Sequence, residues 1–93
     1  MGVFSSIAGR VVPNLVSLQH PALEVLPTIL VCPIKLGEPV TNVRATLRWQ
    51  EATYTVLCEL VRPVNRKGLH FIGEVDEETS RQIVDAFLKL LAL

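Results

Sequence analysis

The sequence predicts a mainly β fold, a small antiparallel barrel or strongly bent sheet closed by one C-terminal α-helix. Three observations carry this. Thr28 to Ile34 is an unbroken run of β-branched and aliphatic residues, the mark of a strand buried on both faces. Val43 to Trp49 alternates cleanly and is followed after "QEA" by a second apolar run, which reads as a hairpin. The C-terminal segment has a helical apolar period.

The elements follow in order. Met1 to Arg10 has no periodicity and is left unassigned. "VVPNLVSL", Val11 to Leu18, favours a strand that Pro13 confines to an edge or a strand start. Residues 19 to 27, "QHPALEVLP", read as a loop with one helical turn between two prolines. After the buried strand, "KLGEPVT" turns the chain. In "VRATLRW", Val43, Ala45, Leu47 and Trp49 point one way, and Arg44, Thr46 and Arg48 form a wet cationic face. Thr53 to Val61 is the partner strand, with Tyr54, Val56, Cys58 and Leu60 on one face. "RPVNRKGL" reads as a basic loop and "HFIGEV" as a short strand. Asp76 then caps a helix whose first turn carries Glu77 and Glu78 and whose apolar positions are Ile83, Val84, Phe87, Leu88, Leu90 and Leu91.

With 93 residues the chain is expected to be one domain, 1–93, with a marginal core. Yet 49% of the residues are hydrophobic, only 19% are charged, and the mean hydropathy is +0.40. One small core cannot hide that much apolar surface, so a homodimer or a dedicated protein partner is expected. Prolines and Lys35 interrupt every apolar stretch well short of the ~20 residues a spanning helix needs, so no membrane is expected. "MGVFSSIAGR" lacks a basic leader region, and a cytoplasmic location is the expectation. Cys32 and Cys58, inside apolar runs, read as inert core residues rather than a disulfide or a nucleophile. No metal-ligand spacing occurs, and no cofactor is expected.

A net charge of zero argues against a strongly electrostatic nucleic-acid binder. The charge is nevertheless divided: up to Ile72 seven basic residues face four acids, net +3, and the remainder is net −3.

"LVSLQHPALEVLPTILVCPI" resembles the V-x-Q … L-x-T-x-x-V-x-P-L signature of CcdB-type toxins. "YTVLCELVRPVNRKGLHFIGEVDEETSRQIVDAFLKLLAL" resembles the second half of MazF (PemK-like) toxins. Together the resemblance covers about Leu15 to Leu93 and implies an SH3-like barrel, a homodimer and the toxin half of a type II toxin–antitoxin module. The CcdB branch implies DNA gyrase as the target, and its pattern in the N-terminal half with the chain length makes it the first expectation. The alternative is a MazF-like, metal-independent endoribonuclease. A third reading is a relative that keeps antitoxin binding without toxicity.

The sequence departs from both branches. MazF-like enzymes tend to carry Gly-His-Glu in the first loop, an arginine before the buried strand and Thr or Ser after "V-C-P-I"; here the loop is Gln19-His20-Pro21, no arginine precedes the strand, and Lys35 takes the last place. The Trp-Gly tail of CcdB is replaced by Leu91-Ala92-Leu93.

Metal-free RNA cleavage needs proton-transfer groups near the 2′-hydroxyl and leaving oxygen and a cation for the phosphorane. His20 suits the first and Lys35 the second, against the plain reading of a solvated loop residue and a strand-ending charge. Arg44, Thr46 and Arg48, with Arg62, Arg66 and Lys67, offer a groove for a single-stranded backbone or for an acidic antitoxin tail, the use preferred because it needs none of the departed residues. A solvated face is the plain alternative. Leu90, Leu91 and Leu93 are candidates for a target or dimer interface, Phe87 and Leu88 for the core, and His70 for a structural role.

Overall fold

The computed structural model describes residues 1–18 and 27–92. Seven strands and one helix follow in chain order: β1 Gly2–Ser5, β2 Leu15–Ser17, β3 Thr28–Lys35, β4 Ala45–Trp49, β5 Ala52–Val56, β6 Arg62–Asn65, β7 His70–Glu74 and α1 Glu77–Leu91. Single 3₁₀ turns, Cys58–Leu60 and Arg66–Gly68, flank β6. The strands pair antiparallel in the order β4-β5-β3-β2-β1-β7, and β6 joins β3 on the side that β5 occupies further along. The mainly β architecture with one closing helix is as expected.

Successive residues of the central strands go to opposite sides of the sheet. Val3, Val16, Cys32 and Ile34 enter the main core with Leu47, Tyr54 and Val56, which α1 seals with Ile83 and Ala86. Leu15, Ile29 and Val31 form a second, smaller cluster with Phe4, Val64 and Leu69 on the other side. The edges meet through a side chain: a Cβ at Gly73 of β7 would lie 2.9 Å from Trp49 Cζ2 and closer still to Cη2. Only glycine lets the indole of β4 lie against β7 so closely.

Several boundaries differ from the sequence expectation. The unassigned N-terminus contains β1, held between β2 and β7; four residues are too few to show a period. Its end is tied down by a contact of 3.2 Å between the Met1 ammonium and Glu74, and by Val75 N–H donating to Met1 O. β2 starts two residues after Pro13, in keeping with the placement of proline at a strand start.

The run Thr53 to Val61 is not one strand. β5 ends at Val56 and the chain coils into the turn Cys58–Leu60. Proline chemistry explains the break. Leu57 N–H donates to Pro33 O at 2.9 Å, but Pro33 has no N–H to return, so the ladder loses its reciprocal bond where β5 would continue. The chain leaves β3 there and rejoins it as β6, so that the expected basic loop is a strand followed by a 3₁₀ turn. β3 itself is buried on both sides only over Val31–Ile34, and Leu30 faces solvent.

In α1, the Asp76 carboxylate accepts from Thr79 N–H at 2.7 Å, the cap that the sequence predicts. Ile83 and Ala86 are buried and Phe87 and Leu90 pack against the core. Leu88, expected in the core, is 56% exposed because it lies on the same outward stripe as Val84 and Leu91.

Candidate functional site

Each predicted cation depends on which element carries it. Lys35 is the last residue of β3, opposite Thr55, and Arg62 is the first of β6, opposite Val31. The two share a cleft of about 290 Å³ with Asn14, Pro33 and Leu60 on its walls. Both are exposed, and neither makes a salt bridge among the described residues. Asn14 is fixed there, since its side-chain Nδ2 donates to Ser6 Oγ at 2.8 Å and its main-chain carbonyl accepts from Ile34 N–H at 3.0 Å. Four residues after Arg62, the turn Arg66–Gly68 brings Arg66 and Lys67 past the other end of β6, roughly 13 Å away at the rise of an extended strand. The Asn65 side chain holds that turn by accepting from Lys67 N–H. Lys35, Arg62, Arg66 and Lys67 thus mark one basic line along β3 and β6.

Arg44 is spent differently. Its Nε and Nη2 donate to Glu59 Oε2 at 2.9 and 2.6 Å, and Nη1 donates to Pro39 O at 3.3 Å. Glu38 lies 3.8 Å away. The hydrogen bonds from Arg44 hold the Glu59 carboxyl below its ordinary range, and in return Glu59 raises the already high guanidinium value. Thr46 and Arg48 do lie along one side of β4, as the alternation predicts, but that side meets α1. Thr46 lines two neighbouring clefts, one with Arg44, Asp85 and Lys89, the other with Arg48, Asp76 and Glu78. The charge there is mixed. The six residues Arg44, Thr46, Arg48, Arg62, Arg66 and Lys67 are therefore divided between two sides of the barrel.

His20 lies outside the described residues, as does Leu93. Leu90 packs against the core and Leu91 is exposed, so the leucine-rich end does not form one surface. His70 opens β7 opposite Ser5. Asn14 and Leu60 were missed as cleft residues. Nothing in their spacing marks them, because strand pairing and the 3₁₀ turn bring them together.

No family model matches the sequence, and no curated protein matches it significantly. Solved structures do. The Mycobacterium tuberculosis toxin MazF-mt6 superposes with a TM-score of 0.74 over 85% of both chains at 14% identity. The fold is that of MazF. A MazE-MazF structure from Deinococcus radiodurans matches with a TM-score of 0.63 at 15% identity, over 77% of this chain and 72% of that one. The position after "V-C-P-I" is the exposed end of β3, where Lys35 faces the cleft it shares with Arg62.

Proposed function

We propose that this protein is the toxin half of a toxin–antitoxin pair and that it acts on single-stranded RNA, whose backbone lies along Lys35, Arg62 and Lys67. The observation that carries this is the cleft on a MazF fold in which two exposed cations face outward without acidic partners among the described residues. A phosphate seated between an ammonium and a guanidinium receives charge-assisted hydrogen bonds, which are roughly twice as strong as neutral ones.

The cleavage chemistry is 2′-hydroxyl attack on the adjacent phosphorus with expulsion of the 5′-oxygen, leaving a 2′,3′-cyclic phosphate. Lys35 and Arg62 stabilise the negative charge that builds on the phosphorane oxygens, and His20 is the candidate for proton transfer. Lys35 takes over the electrostatic work at a position where MazF-like sequences have Thr or Ser. The gyrase reading has less support, because both reported neighbours are MazF structures and Leu90 and Leu91 face different surroundings.

The MazE-MazF neighbour supports an antitoxin as partner. An acidic antitoxin segment competes for the same basic line. Exposed Val12 and Leu36 lie within two residues of cleft residues in sequence and exposed Leu60 lines the cleft itself, and we place the homodimer contact there.

The test is incubation of purified protein with a long RNA in EDTA. Fragments ending in 2′,3′-cyclic phosphate that disappear in Lys35→Gln and Arg62→Gln support the reading. Intact RNA together with unchanged RNA retention in both variants overturns it.

A further inference from the structure

Cys32 and Cys58 are both wholly buried in the main core. Strand register sets their relation. β3 and β5 pair with Lys35 opposite Thr55 and Ile34 opposite Val56, and the Leu57 N–H to Pro33 O bond carries the register one step on. The next residue, Cys58, opens the 3₁₀ turn that packs on β3, which brings it to Cys32 within one buried cluster; a disulfide needs Cα atoms roughly 4.4 to 6.8 Å apart. Both side chains lie in the same buried cluster, close enough for each thiol to shift the titration of the other.

We propose that Cys32 and Cys58 are a disulfide-forming pair, closed by a peroxide, that joins β3 to the turn Cys58–Leu60 directly behind the Lys35–Arg62 cleft. The hydrogen bond from the Cys32 S–H lowers the Cys58 thiol, whereas the same contact and then burial raise Cys32. Cys58 opens the 3₁₀ turn, so local opening exposes it first and makes it the attacking sulfur, while Cys32, held inside β3, is the resolving one. The Cys58 thiolate attacks one oxygen of hydrogen peroxide, the O–O bond breaks, and hydroxide leaves to become water with the proton that Cys58 gave up. Cys32 sulfur then attacks the Cys58 sulfenic acid; the S–S bond forms, the S–O bond breaks, and the departing hydroxide takes the Cys32 proton as a second water. Two thiols are oxidised and one peroxide is reduced. Access comes by opening of the single 3₁₀ turn, which only a small oxidant can exploit. The proposal is independent of the RNA reading, because neither cysteine has a role in it.

The test treats the intact folded protein with hydrogen peroxide, removes the excess with catalase, and alkylates under unfolding conditions without reductant before peptide mapping. Loss of both alkylatable thiols together, a linked peptide pair containing Cys32 and Cys58 within one chain, and release by dithiothreitol support the proposal. In Cys32→Ser the Cys58 sulfenic acid persists and is trapped by dimedone, while in Cys58→Ser the remaining Cys32 stays unlabelled. Full alkylation of both thiols after treatment, or linkage only between chains, overturns the pair. Dimedone labelling of Cys32 in Cys58→Ser overturns the assigned order. Mapping of the unsubstituted protein decides the first question even if a variant fails to fold.

Discussion

Arg44 directly precedes β4 and Arg62 opens β6, and both sit on the basic part of the chain, yet they meet opposite surroundings. Arg44 is enclosed by Glu59, Glu38 and the Pro39 carbonyl, while Arg62 opens with Lys35 onto a cleft without an acid among the described residues. The Arg48 side of β4 repeats the first pattern, with Asp76 and Glu78 of α1 across a cleft. The difference teaches that a basic residue becomes a phosphate site by what the fold withholds from it. The closing helix brings its acids to β4, and the 3₁₀ turn aims Glu59 at Arg44, while Lys35 and Arg62 keep no salt bridge among the described residues.

The largest expected effect tests that side directly. Lys35→Gln combined with Arg62→Gln removes two charge-assisted contacts, and retention of a single-stranded RNA falls roughly 100-fold at low salt. The slope of log affinity against log salt flattens by about 1.4, the loss of two contacts on a single strand. Both groups are exposed, so the urea midpoint stays near that of the unsubstituted protein. An equal loss from Arg48→Gln would erase the distinction between the two sides.

Next in size is the seam that holds β4 and its mixed charges apart from the basic line. Gly73→Ala places a methyl group inside the Trp49 ring and is expected to cost about 1 to 3 kcal/mol of unfolding free energy by overpacking, read from urea melts. Trp49→Phe shortens the ring and relieves the clash, so the double variant recovers part of the loss. Additive losses would show that the indole does not close the barrel against β7.

Much of this molecule was legible because it depends on local pattern. The alternation of Val43 to Trp49 sets which β4 residues face the core, and Asp76 announces the helix that it caps. The second half of the chain reads less well because proline acts at a distance. Pro33 withholds one N–H from Leu57, twenty-four positions later, and the strand expected over Thr53 to Val61 becomes β5 and a 3₁₀ turn, after which the expected basic loop opens as β6. The division of the basic residues has the same origin, since Glu59 reaches Arg44 only because the turn exists. The nearness of Cys32 and Cys58 was hidden for a related reason. Two apolar runs reveal that both thiols are buried, but only the fold places them in one cluster.

The smallest expected effect reverses the silencing of Arg44. Glu59→Gln removes the carboxylate that holds it, leaving Glu38 at 3.8 Å as the remaining acid. The freed guanidinium lies on the other side of the barrel from the basic line, so it adds only to the general positive field, and RNA retention rises at most a few-fold at low salt. Acid titration of stability provides the companion measurement. The Glu59 carboxyl is held below its ordinary value by the Arg44 hydrogen bonds, so the stability it contributes is fully present above the unfolded carboxylate value and is lost as the pH falls through the depressed folded value. The difference in urea midpoint between the unsubstituted protein and Glu59→Gln should accordingly be constant at neutral pH and close only in the acid range. A difference that persists at the lowest pH would mean that the glutamine disturbs packing at the 3₁₀ turn instead of removing a charge pair. Any gain in RNA retention would then have to be read as a change in the cleft through Leu60, whose side chain lines it two residues before Arg62.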